Sequence, residues 1–390
     1  MGDVTGHVAA GWEGVADALR ASIERGDDVG ASVAVYHRGE CVVDVAGGLA
    51  GRGDDAADYT PDTLQLVFST TKGITAIAVA MCVQRGLFSY DDPVASVWPE
   101  FAAEGKGDAT IAQLLSHQCG LITVDGLTLG EALDWDTVTS RLAAGTPDWP
   151  IGTGHGYHAL TYGWLAGELV RRADGRSLGT FVADEIAGPL GVDLWVGLPE
   201  EQEGRVAPLL GGLGGGSAAL DPAVQRLMEQ ILGPETRGGR ALSLSGTFGG
   251  DGTFNRRDVH AAEIPAANAI TNARALATVY AATLGPIGGV RLLDEATRDI
   301  ARTQVTPANE GDLCLVMPST FGMGFMTSGL FSPFAGPGSY GHPGAGGSVA
   351  FAQPERDLAM AYAMNRMAPN LASDTRAQAL VAAAVAAVDG

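Results

Sequence analysis

The sequence predicts an α/β protein of the α+β kind, with one antiparallel sheet flanked by helices and a second, mostly helical domain. Three observations carry this. Each end of the chain holds a strand–turn–strand signal beside an amphipathic helix, so both ends should build one sheet. The middle, from about Asp91 to Pro265, changes to helical spacing broken by loops rich in Gly and Pro. Finally, 390 residues at 46% hydrophobic and 18% charged supply a large core. The expected division is 1–90 with 266–390 for the sheet domain and 91–265 for the helical one.

In order along the chain, Trp12 to Arg25 has the spacing of an amphipathic helix. Two β-like runs follow, Ala31 to His37 and Cys41 to Ala46, joined by the turn residues Arg38-Gly39-Glu40. Helical patterns in the middle cover Ile111 to Ser116, Leu129 to Ala144, Leu160 to Arg172, Leu178 to Ala187 and Asp221 to Leu232. Gly211 to Gly216 and Gly246 to Gly252 read as exposed wall or lid segments. Ser348 to Gln353 and Leu358 to Asn365 form the second hairpin around Pro354-Glu355-Arg356-Asp357. The last helix, Ser373 to Val388, opens on a Ser N-cap.

Charge excludes several partners. The net charge of −21 leaves nothing to neutralise a run of phosphates, so nucleic acid and anionic membrane surfaces are not expected partners. Four scattered cysteines, Cys41, Cys82, Cys119 and Cys314, form no C-x-x-C pair and no secreted disulfide framework. The first residues lack a basic and apolar leader, and the most apolar run, Ile74 to Val83, is too short to span a bilayer. A soluble, cytoplasmic protein is expected. Only Lys72 and Lys106 are lysines against 22 arginines, so a lysine inside an apolar stretch calls for a reason.

Ser69-Thr70-Thr71-Lys72 supplies one. It opens the apolar helix Ile74 to Gln84, which Arg85 and Gly86 close. Spacing of three puts hydroxyl and amine on one helix face, and the helix start offers amide N–H groups to a developing oxyanion. The lysine can hold a neighbouring base ionised or can itself take the serine proton. The bland alternative is a Ser N-cap followed by a solvated Lys. Gly156-Tyr157-His158-Ala159, just before a helix, offers a phenol whose pKa would fall beside an ammonium. Tyr340 to Ser348, dense in glycine, runs into a strand and lets a ligand approach backbone closely, and the Ala345 N–H there suits an oxyanion hole with that of Ser69.

Two other patterns are set aside. Gly175-Arg176-Ser177-Leu178-Gly179 matches the nucleophile-elbow spacing, but helices on both sides make Ser177 an N-cap. His155 and His158 have no third ligand at metal spacing, and His117 reads as a hydrogen-bonder at a helix end. Neither metal nor organic cofactor is expected.

These stations, in this order, resemble the serine β-lactamase and penicillin-binding-protein superfamily, and most of all the family VIII carboxylesterases, which are similar to class C β-lactamases. Leu114 to Leu121, Tyr157 to Gly163 and Gly341 to Ser348 add to the likeness. It covers nearly the whole chain, apart from about Gly204 to Ala262. The resemblance implies a β-lactamase-like fold, Ser69 as the acylated nucleophile, Lys72 as its partner and Tyr157 as the tyrosine of a Y-x-N station. His342-Pro343-Gly344 stands where lactamases carry K-T-G, with His342, Gly344 and Gly346 orienting substrate. Ala345 would be the strand residue that gives the second oxyanion N–H. Ala159 replaces the Asn, and His342 the Lys, that serve a β-lactam, each worth on the order of 1–3 kcal/mol of polar recognition. A serine esterase for short-chain or small esters is expected, with Tyr157 held ionised by Lys72 as the base. An acyltransferase, an amide or peptide hydrolase including a weak β-lactamase, and a non-catalytic ligand-binding relative stay open. Oligomeric state is not readable.

Overall fold

A computed structural model of the chain describes residues 3–53, 56–211, 229–369 and 374–390. It begins with a strand the sequence did not announce, β1 (Thr5–Val8), three of whose four residues are exposed. Then come α1 (Glu13–Glu24) and the expected hairpin of β2 (Gly30–His37) and β3 (Glu40–Gly48). Later in the chain lie β4 (Gln65–Leu66), β5 (Leu194–Trp195), β6 (Ile270–Thr271), β7 (Met326–Thr327) and β8 (Tyr340–Pro343). The second hairpin is β9 (Val349–Gln353) with β10 (Leu358–Met364).

Among the described residues seven strands form one antiparallel sheet in the order β1-β3-β2-β10-β9-β8-β7. The two ends of the chain meet where β2 pairs β10, from His37↔Leu358 to Ala31↔Met364. The pleat sorts β10 by size. Leu358, Met360, Tyr362 and Met364 join the cluster that holds α1 and the last helix, α5 (Thr375–Asp389). Ala359, Ala361 and Ala363 join the opposite cluster, where small side chains let helices lie close to the sheet. That second face is covered by α2 (Thr71–Gln84) and α4 (Ala273–Leu284), and α3 (Thr161–Asp174) packs on α2. With helices on both faces, β10 is buried throughout and β2 is buried over its first six residues, rather than alternating.

Several expectations are adjusted. Leu129 to Ala144 is two helices, Leu129–Ala132 and Trp135–Ala144, because Asp134 caps the second through the Thr137 N–H and Thr128 with Glu131 boxes the first. The middle also gives strand β5 to a three-stranded sheet of order β4-β6-β5. The cap of α5 is Asp374, not Ser373, which lies outside the described residues. Residues 212–216 of the first Gly-rich segment and 221–228 of an expected helix also lie outside them. The last four positions of that helix, 229–232, are helical. Gly246, Gly249, Gly250 and Gly252 are exposed around the buried Phe248. Among the described residues, no helix is long and apolar enough to cross a membrane.

Candidate active site

Ser69 sits in a 3-10 turn, Phe68–Thr70, that leads into α2. Phe68 before it has a φ of +44°, a left-handed conformation that a bulky residue adopts only when its surroundings hold it there. Thr71 supplies the hold: its hydroxyl donates to the Phe68 carbonyl at 2.5 Å and accepts the Ala269 N–H at 3.0 Å. The turn is thereby strapped to the segment that enters β6.

One helical turn on, Lys72 is wholly buried, and its Nζ lies 3.0 Å from Ser69 Oγ, 2.6 Å from the Ala159 carbonyl and 3.0 Å from the Ala266 carbonyl. As an ammonium it donates to all three. As a neutral amine it donates to the two carbonyls, and its lone pair is left for the Ser69 hydroxyl proton. Burial alone pushes its pKa well below the ordinary lysine value. Close packing makes this possible. Gly163 of α3 is so near the 265–266 segment that a Cβ there would meet the Ala266 nitrogen at 2.5 Å.

Tyr157 is brought to the same pocket across almost ninety residues. Nζ of Lys72 stands 4.8 Å from its ring centre. The ring stacks between Phe321 and His342, with centroid separations of 6.2 and 5.8 Å. The expected fall in its pKa is reversed: burial raises it, and a hydrogen bond with the Ser69 side chain offsets only part of that rise. Asp312 fixes the backbone here, accepting the Tyr157 N–H at 3.0 Å together with the N–H groups of Cys314 and Leu315. Sequence reasoning missed Asp312. Its signal is an Asx turn, a carboxylate bonding the amides two and three residues on.

His342 is buried beside Tyr157, and its Nδ1 donates to the Pro343 carbonyl at 2.6 Å. Its Nε2 therefore carries a lone pair, which has no partner among the described residues. Burial, and then the charge of Lys72, lower its pKa to about 3, so this position holds a neutral ring. Ala345 is in a 3-10 turn, Ala345–Gly347, between β8 and β9 rather than in a strand, because Gly346 and Gly347 take φ of +82° and +127° and turn the chain. That turn is seated on the Ser69 segment. Ser348 Oγ donates to the Val67 carbonyl at 2.9 Å and lies 3.1 Å from Thr70 Oγ1. Gly344 is an obligatory glycine, since a Cβ would meet the Val67 carbonyl oxygen at 2.3 Å. Gly346 faces a different neighbour, the Met367 sulfur, which a Cβ would approach to 2.4 Å.

The histidines set aside in the sequence bond neighbouring backbone, and His117 Nε2 is buried with no partner among the described residues. His158 Nδ1 bonds the Gly156 carbonyl while its Nε2 accepts the Leu121 N–H, and His155 Nε2 bonds the Ser319 carbonyl. His117 Nδ1 accepts the His158 N–H, just past the helix Ile111–Leu115. Ser177 caps its helix at the Thr180 N–H and donates to Glu263 at 2.6 Å, as an N-cap should. Among the described residues no group of three or more His, Cys, Asp or Glu is placed to hold a metal ion.

Residues 15–384 match the family model described as Beta-lactamase. The chain is 36% identical over 351 residues to the esterase/beta-lactamase LipL of Mycobacterium tuberculosis, covering 87% of this chain and 77% of that protein. Among solved structures it is similar to a penicillin-binding-protein homolog from Caulobacter crescentus, with a TM-score of 0.86 and 36% identity over 99% of this chain and 100% of that one. A family VIII carboxylesterase has the same TM-score, with 34% identity over 98% of both chains.

Proposed function

The chain belongs to the beta-lactamase family, and from that premise we propose that it is a serine esterase that cleaves short-chain or small carboxylic esters through an acyl-enzyme on Ser69. The observation that carries the reading is Lys72 Nζ at 3.0 Å from Ser69 Oγ, with two backbone carbonyls occupying its other hydrogen-bond positions. Burial lowers the cost of deprotonating an amine held this way, and the neutral amine has a lone pair left for the hydroxyl.

Ser69 Oγ attacks the ester carbonyl as its proton passes to Lys72. The N–H groups of Ser69 and Ala345 receive the oxyanion; neither is bonded to an acceptor among the described residues. The carbon–oxygen bond to the alcohol then breaks, and Tyr157 gives its hydroxyl proton to the departing alkoxide and regains one from Lys72. Water repeats the sequence on the acyl-enzyme, giving the acid and the free serine. His342 and Gly344 line the approach of the substrate.

The ester preference follows from what two positions lack. Ala159 offers a carbonyl to Lys72 but no side-chain amide, and His342 is an uncharged ring, so a lactam would meet neither amide nor cation. In the deciding experiment, intact protein is treated with an active-ester phosphonate and the modified peptide located. One adduct on Ser69, and loss of p-nitrophenyl acetate hydrolysis in folded Ser69→Ala, are expected. Retained turnover in that variant removes Ser69 from the chemistry.

A further inference from the structure

We infer that Arg376, at the start of α5, is a positioning residue for the oxyanion turn. The inference rests on the reading that the Ala345 N–H receives the oxyanion. The turn that carries this N–H contains two left-handed glycines, so its own backbone does little to fix it. Its internal bonds are Gly344 N–H to Ser348 O at 2.6 Å and Gly347 N–H to Gly344 O at 3.2 Å. From outside, the Gly346 carbonyl accepts Arg376 Nη2 at 2.5 Å and the Ala368 N–H at 3.0 Å. Gly347 lies against the same guanidinium, where a Cβ would come within 2.4 Å of Nη2.

The guanidinium is itself immobilised. Arg376 is 6% exposed; Nε and Nη2 fork onto Asp374 at 3.0 and 2.8 Å, and Nη1 bonds Asp28 at 3.0 Å and the Arg366 carbonyl at 2.9 Å. Asp28 in turn is held by Ser22 and Tyr362 at 2.6 and 2.7 Å. A flexible turn is thus tied through one planar cation to α1, β10 and α5. Only arginine spans these partners, because a lysine has no fixed fork.

A structural role alone would lower stability or the fraction of active molecules. A positioning role lowers the rate of each active molecule. Arg376→Lys is therefore assayed per site, with active sites counted by the phosphonate burst. The expected result is a ten- to hundredfold fall in kcat per titrated site with KM nearly unchanged. A boronic acid, which mimics the tetrahedral adduct, should bind weaker by the same factor. Asp28→Asn, which loosens the far end of the tie and keeps Arg376, should show the same signature at smaller size and serves if the lysine variant does not fold. Wild-type kcat per site and unchanged boronate affinity would overturn the inference. If the wild-type protein itself gives no Ser69 adduct, the esterase reading has failed instead.

Discussion

Lys72 and Tyr157 are pushed in opposite directions by the same cause, since burial penalises the charged form of each. Burial thus favours the neutral amine over the ammonium and the phenol over the phenolate. The activity profile follows with definite sign. kcat/KM should climb with pH as Lys72 loses its proton, well below the ordinary lysine range, and decline only when Tyr157 ionises above the ordinary phenol range. Tyr157→Phe should remove the alkaline decline. It should also cost about 10²–10⁴-fold on an ethyl ester, whose alkoxide must be protonated, and far less on a p-nitrophenyl ester, whose leaving group needs no proton. Equal losses on both esters would show that Tyr157 does not protonate the leaving group. Lys72 was legible because its chemistry is scarce: one of two lysines, three residues after a serine at a helix start. Tyr157, one of eight tyrosines, was picked out only by the order of the stations and the resemblance they carry. The carbonyls of Ala159 and Ala266 were invisible in the sequence, since every residue has a carbonyl and only folding aims one. The direction of the Tyr157 shift was misread for a related reason. A neighbouring amine can be guessed from sequence, but the depth of burial that raises the phenol cannot.

α2 must hold Lys72, and the turn before it Ser69, against the layers packed on them, and it has no room for a Cβ at Gly73. A Cβ there would meet the Tyr280 hydroxyl of α4 at 1.9 Å. That hydroxyl is buried with no partner among the described residues, so Tyr280→Phe alone should be neutral or slightly stabilising. Gly73→Ala should destabilise by about 1–3 kcal/mol through overpacking, and adding Tyr280→Phe should recover much of it. Urea denaturation of the three variants checks this; simple additivity would mean that the contact does not limit the helix. Elements with a strong period were legible in the sequence. The terminal hairpins, α1, α3 and α5 fall within a few residues of their expected bounds. The two-residue strands of the small sheet had no period to show, and β1 is too exposed to look like a strand. The break in Leu129 to Ala144 was signalled by Asp134, a capping residue that the surrounding helical spacing masked.

Taken whole, the molecule carries 45 acidic against 24 basic side chains, and the two lysines among the latter are fully buried. Its surface cations are arginines, many paired at contact distance, such as Arg171 with Glu168 at 2.7 Å and Arg274 with Asp44 at 2.9 Å. Two electrostatic effects therefore oppose each other as salt is added. Contact pairs lie well inside the Debye length of about 10 Å at 0.1 M, so screening weakens them little, and exposed pairs contribute only about 0–1 kcal/mol each. The excess of 21 negative charges repels across the whole body, over distances longer than that length, and this repulsion is what salt removes. Stability should accordingly rise with ionic strength. Tm measured in sodium chloride from about 0.01 to 0.5 M at neutral pH should increase monotonically, most steeply at the low end where the Debye length shortens fastest. A falling Tm would mean that the arginine pairs, not the net charge, govern the electrostatics of the fold, and the acidic surface would then need no counterions to remain folded.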